Sequence, residues 1–341
     1  MTTLPSCNHR FAMHGLIVDL LCEVPVLNRP IDFTVGDFAV DDWPDGFSPT
    51  TGIIRQYDQD AVMRHLSPTA RALSNSGDLR DIYEEGSRYW LVDDRWGLVE
   101  LNLVKNHFHA WVLPDTMHDA YQVVQDAVLW PMAQLLRGRG LHLVPAASVT
   151  RNGWGMLIIS HCNIEAELQA LMHAGFRIVG QQWTALREED GRVAMLHLPG
   201  MVEHLPPPQL RGTGVFDQAA QWLDVTGELP GASQHHSFCD AVMVIEAGRR
   251  ALPSLRPVNK SAASGMLRQN WPIAELHPQH RGSMIAGRLA SQCSVFSATL
   301  SRRPEDLLKQ LDLMRYGRSF PNNPAKVEVQ VNAGLRRQIP A

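Results

Sequence analysis

Residues 154–186, reading WGMLIISHCNIEAELQALMHAGFRIVGQQWTAL, constrain the fold more than any other stretch of the chain. A short apolar strand at Met156–Ile159 leads into a turn, and an amphipathic helix then runs from about Ile164 to His173. Ala174-Gly175-Phe176 closes that helix, and a second strand follows at Arg177–Val179. This strand–loop–helix–strand order is the layout of a nucleotide-binding unit in an α/β layer. In such a unit the turn reads G-x-x-x-x-G-K-[ST], because glycines let backbone N–H groups curl around phosphates and the lysine reaches their oxygens. Here the turn reads Ser160-His161-Cys162-Asn163, with neither glycine nor lysine.

No other segment supplies the missing loop. The four lysines are Lys105, Lys260, Lys309 and Lys326, and none follows a glycine. Lys260-Ser261 is preceded by Pro257-Val258-Asn259, which cannot form a glycine nest.

Four stretches resemble the HPr kinase-like family, serine kinases of the P-loop branch that also contains phosphoenolpyruvate carboxykinase. The first is Phe11-Ala12-Met13-His14-Gly15-Leu16 with Cys22-Glu23-Val24-Pro25, and the second is Leu135–Gly140 leading to Pro145–Val149. The third is the unit described above, continued by Gly180-Gln181-Gln182-Trp183 and His197-Leu198-Pro199-Gly200. The last comprises Ala241–Glu246, the Leu252–Leu267 region and a helix over Pro304–Met314. The resemblance spans residues 10 to 315. It implies a P-loop kinase-like α/β core of the HPr kinase and phosphoenolpyruvate carboxykinase type, with a mostly β N-terminal region.

Against that resemblance, two departures carry the functional expectation. The family's loop lysine falls at about Ile164, and its Asp-Asp pair, one member a general base toward the substrate serine, falls at Gln181 and Gln182. An amide takes no proton at neutral pH and is a poor Mg²⁺ ligand. Phosphoryl transfer depends on positioning and charge stabilisation, so losing lysine, glycines and both acids together argues against it. Glu165 and Glu167 in the first helical turn suit the helix dipole but repel a phosphate. The residues Ser160, His161, Cys162, Asn163, Ile164 and Glu165 therefore read as a vestigial nucleotide loop, and Gln181 and Gln182 as a vestigial acid pair, with no catalytic residue and no cofactor.

The expectation is a non-catalytic, cytoplasmic pseudokinase that binds another protein subunit as an assembly factor or structural subunit, as an oligomer or complex member. Its alternative is an active ATP-dependent kinase with a rebuilt phosphate site, an arginine replacing the lysine and an acid such as Asp217 or Asp240 brought near Gln181. A zinc site from His236-x-x-Cys239 and His277-x-x-His280 has suitable donors, but the spacing is common by chance. A His161-Cys162 nucleophile pair lacks the geometry for a base–nucleophile hydrogen bond. His107 and His109 alternate on a strand and read as a surface-facing pair. Trp183, Trp222 and Trp271 read as core or interface residues.

Composition bounds the rest. The 341 residues are 45% hydrophobic and 19% charged, as in ordinary folded domains. A formal net charge of −4 without charge runs points away from nucleic acid. No apolar stretch approaches the length of a membrane span. Five dispersed cysteines without a CxxC pair fit reduced thiols. Three regions are expected: a β-rich N-terminal region over 1–105, an α/β core over 106–315, and a tail over 316–341. Within the first, strands are expected at Leu16–Leu21, Asp32–Phe38, Tyr89–Val92 and Leu98–Val104, with partly helical segments over 58–85. Asp115 is an expected helix N-cap ahead of Ala120–Leu136.

Overall fold

The computed structural model describes residues 6–41, 48–58, 63–75, 80–114, 120–160, 162–198, 201–204, 221–224, 234–250, 253–269 and 282–316. Outside them lie Asp115, His161, Asp217, Trp271, His277, His280 and the tail beyond Tyr316. What is described is a mixed α/β structure of several sheets in which strands predominate.

Strands β1 (Cys7–Met13), β2 (Leu16–Cys22), β3 (Thr50–Gln56), β4 (Arg71–Asn75), β5 (Arg80–Glu85), β6 (Arg88–Asp93), β7 (Gly97–Asn102) and β8 (His107–Val112) form one eight-stranded sheet. Its order is β1-β2-β3-β8-β7-β6-β5-β4. β2, β3 and β8 run parallel, and β8 back to β4 is an antiparallel meander. The sheet thus continues past residue 105 to Val112. Its inner face buries Phe11, Met13, Leu20 and Phe108 against helix α1 (Pro25–Val35) and against a second helical stretch. That stretch comprises α2 (Ala120–Val124), a π turn over Gln125–Leu129, and α3 (Trp130–Arg137) ending at Gly138.

One expectation is corrected here. Asp32–Phe38 is not a strand: it is the second half of α1 and a 3₁₀ turn over Gly36–Phe38. Leu27, Ile31 and Val35 recur every four residues and are all buried, a helical stripe that follows Pro25 in the first turn, where proline fits. Within residues 58–85, where partly helical segments are expected, the described residues include the strands β4 and β5. Tyr83 and Ile82 find their apolar partners opposite, at Trp90 and Leu91 of β6.

The second layer system begins with β9 (Leu141–Val144), β10 (Ala147–Arg151), β11 (Trp154–Ser160), helix α4 (Glu165–His173), β12 (Arg177–Gly180), β13 (Thr184–Glu189) and β14 (Arg192–Leu196). A separate hairpin, β15 (Met201–His204) with β16 (Gln221–Asp224), precedes β17 (His236–Phe238) and β18 (Ala241–Arg250). Next come β19 (Ser254–Pro257), α5 (Lys260–Gln269), α6 (Gly282–Gln292), β20 (Ser294–Ser301) and α7 (Glu305–Tyr316). The six-stranded sheet has the order β12-β10-β11-β18-β20-β19, with β11, β18 and β20 parallel at its centre.

Both faces of that centre are covered, which is why its strands are continuously apolar. Met156, Ile158, Met243 and Ile245 face α4 and α7, meeting Leu168, Leu171, Leu307 and Leu311. Leu157, Ile159, Val242 and Val244 face α5, α6 and a small sheet of order β17-β14-β13-β9. Among the described residues, no helix is long and apolar enough to cross a membrane.

Candidate functional site

The turn between β11 and α4 is folded by its own side chains. Ser160 Oγ accepts the Cys162 N–H at 3.2 Å and donates to the Cys162 carbonyl at 2.9 Å. Asn163 Oδ1 accepts the Glu165 N–H at 2.9 Å, and Asn163 Nδ2 donates to the Glu165 carboxylate at 3.1 Å. The donors that a phosphate would need at the helix start are thus partly engaged locally. Ile164, the N-cap, offers no side-chain cap.

An internal ion pair dominates the electrostatics of this end of the sheet. Glu167 projects from the first turn of α4 with its side chain only 1% exposed, against 34% for its partner Arg249 of β18. Arg249 holds both Glu167 oxygens, Nη1 on Oε1 and Nη2 on Oε2 at 3.1 Å. It also donates to the Ser301 carbonyl at 2.9 Å and to the Asn163 carbonyl at 3.2 Å. One guanidinium therefore ties the turn, the helix and the end of β20 together. Hydrogen bonding to Glu167 raises the Arg249 pKa further above its usual range. Chemically, a buried carboxylate with a bidentate arginine is anion recognition completed within the chain.

Gln181 and Gln182 leave the same end of β12. Gln182 Oε1 accepts from Gln125 Nε2 at 2.8 Å, whereas Gln181 is 4% exposed and its amide has no hydrogen-bond partner among the described residues. Asp240 does not supply the acid considered for this place. It precedes β18, at the opposite end of the parallel strands, accepting the Gly155 N–H at 3.0 Å and Arg192 Nη2 at 2.9 Å. Three interstrand steps of about 4.8 Å also separate its strand from β12. The acid that β18 brings to the turn is Glu246, the residue after Ile245, which pairs in parallel register with Ser160. Ser297 Oγ donates to it at 2.6 Å. Its sequence signal was an acid ending the apolar run Ala241–Ile245.

The remaining candidates separate. His236 Nε2 is 2.9 Å from Glu189 on an exposed edge, whereas Cys239 is buried, its thiol donating to the Ala241 carbonyl at 3.3 Å. These two do not share a ligand position. No group of three or more His, Cys, Asp or Glu side chains among the described residues could hold a metal ion. Trp183 packs, partly buried, against the first core.

His109 corrects the surface-facing expectation for its pair. It is part-buried and stacked on Trp111 at 4.1 Å between ring centroids, and His65 stacks on the same indole at 4.1 Å. Burial first, then Arg55 and His65, push the His109 pKa down to about 4. The outer face of the first sheet carries its own apolar cluster of Trp90, Val92, Leu98 and Trp111, which alternation alone did not reveal.

No family model matches the chain, and no curated protein matches it. Among solved structures, the HPr(Ser) kinase/phosphatase from Coxiella burnetii aligns with a TM-score of 0.28 and 17% identity, covering 51% of this chain and 95% of that one. A likeness at that TM-score carries no argument about function.

Proposed function

We propose that this chain is a non-catalytic HPr kinase-like protein, a pseudokinase that binds another protein subunit through the surface around its former phosphate turn. One observation carries the reading: the buried Glu167 carboxylate and bidentate Arg249 sit at the helix start where such a fold would receive phosphate. An added phosphate there would meet a fixed negative charge, and the nearest arginine is already committed. The motif order in the sequence and the glutamines at 181 and 182 support the same reading. Assembly into an oligomer or larger complex in the cytoplasm belongs to this proposal.

A second reading is favoured by Arg249 and Glu246, an arginine and an acid at the turn. In it the chain is an active ATP-dependent kinase whose Arg249 leaves Glu167 on substrate binding.

Titration with Mg-ATP separates the two. A ligand at 100 times its dissociation constant adds about 2.7 kcal/mol of stability, a readable thermal shift. The pseudokinase reading expects no shift at millimolar Mg-ATP. A Mg-dependent shift that Arg249→Ala abolishes would overturn it in favour of the second.

A further inference from the structure

The hairpin of β1 and β2 turns through His14 and Gly15, whose φ angles are +49° and +86°, so Met13 and Leu16 flank a two-residue loop. From there the register runs unbroken to Cys7 opposite Cys22. Narrow and wide pairs alternate, and counting back from Met13–Leu16 places Cys7–Cys22 on a hydrogen-bonded pair, with Cα atoms about 5.5 Å apart. Disulfides span Cα separations of about 4.4–6.8 Å, which this pair meets, and directly opposed side chains share one face. The Cβ atoms, about 5.5 Å apart at a hydrogen-bonded pair, must still close to about 3.5–4.5 Å, which takes a local shift at this end of the hairpin.

The two thiols differ in access. Cys7 is half-buried and lines an open cavity of about 320 Å³ together with His9, Asp32, Gly36 and Val40. Cys22 is fully buried, its thiol donating to the Val24 carbonyl at 3.3 Å just before α1.

We propose that Cys7 and Cys22 form a peroxide-reactive dithiol, Cys7 taking the oxidant from the cavity and Cys22 resolving it as a cross-strand disulfide. The Cys7 thiolate attacks the outer oxygen of a hydroperoxide, the O–O bond breaks, and alcohol or water leaves. Cys7 is then a sulfenic acid. The Cys22 thiolate attacks that sulfur, and the displaced hydroxide takes up the Cys22 proton as water. Two thiols lose two electrons in total, and one hydroperoxide gains them.

Burial pushes the Cys22 thiol up to about 11, with Cys7 among the contributing neighbours. The resolving step therefore accelerates with pH, by about tenfold per unit below that value. A second thiol pair provides an internal reference. Cys293 donates to the Cys239 carbonyl at 3.2 Å, but both residues are buried and neither lines this cavity.

The test treats the folded chain with hydrogen peroxide, blocks free thiols, and maps tryptic peptides without reduction. Cleavage after Arg10 puts Cys7 and Cys22 on separate peptides, so their linkage is directly visible. The expected result is a Cys7–Cys22 link that forms faster at pH 8 than at pH 7, with Cys239 and Cys293 still reduced. Cys22→Ser should instead leave a sulfenic acid on Cys7, trapped by dimedone. Should that variant not fold, Cys7→Ser serves, and Cys22 should then resist the same dose. Cys7 reaching sulfinic acid without linkage, a link between two chains, or oxidation of Cys22 in Cys7→Ser would each overturn the proposal.

Discussion

Replacing Arg249 by alanine leaves the Glu167 carboxylate without its counter-charge at a position 1% exposed to solvent. Removing one partner of a buried pair costs about 3–5 kcal/mol, because the survivor remains desolvated and unpaired. The carbonyls of Asn163 and Ser301 lose a donor as well, at about 1 kcal/mol each when water cannot replace it. Arg249 is one-third exposed, so water reaches part of the vacated volume, and the net expectation is about 3 kcal/mol. Urea unfolding reads this as a lower midpoint at unchanged slope. The double variant Arg249→Ala/Glu167→Gln tests the cause, since removing the stranded charge should restore more than half of the loss. A single variant within 1 kcal/mol of the parent, or a double variant no better than the single, would refute the ion pair as the element holding the turn, α4 and β20 together.

Three further outcomes follow from particular residues. His109 has a folded pKa of about 4 against 6.5 unfolded, so the unfolded chain binds the proton first and stability falls as pH drops from about 6.5 towards 4. The full shift sets a ceiling of about 3 kcal/mol, reduced by partial exposure to on the order of 1 kcal/mol; His109→Gln should flatten that part of the urea midpoint–pH profile. Gly97 has φ of +135°, and a Cβ there would overlap the Trp111 carbonyl oxygen. Gly97→Ala should therefore cost at least about 3 kcal/mol in the same assay, whereas Gly153→Ala, with open space at φ +75°, should cost about 1 kcal/mol. Gln181→Met replaces a buried amide lacking partners among the described residues with an unbranched apolar group of similar length and should leave stability equal or higher, unless a bound partner supplies those hydrogen bonds.

Local pattern made some elements legible. β11, α4 and β12 lie where the apolar spacing put them, because a helix stripe and a two-faced buried strand impress different periods on the sequence. The helix expected over Ala120–Leu136 was readable for the same reason, though not the π turn inside it. Asp32–Phe38 failed because a short apolar segment fits either period until the stripe Leu27, Ile31, Val35 meets the inner face of the first sheet. β4 and β5 were not legible because strands in polar sequence are fixed by their neighbours, β5 here by Trp90 and Leu91 and β4 by β5 itself.

Residue identity alone decided that this turn carries no glycine nest and no lysine, and that amides stand at 181 and 182. Those are covalent facts, independent of how the chain folds. Only the tertiary structure decided which charges meet. Glu167 and Arg249 are 82 residues apart, and parallel pairing of β11 with β18 brings them into contact. The same pairing puts Glu246 at the turn and leaves Asp240 at the far end, since the direction of a strand determines which of its ends faces a site. Cys7 and Cys22 likewise became partners through hairpin register, which depends on the backbone of His14 and Gly15 rather than on the cysteines themselves.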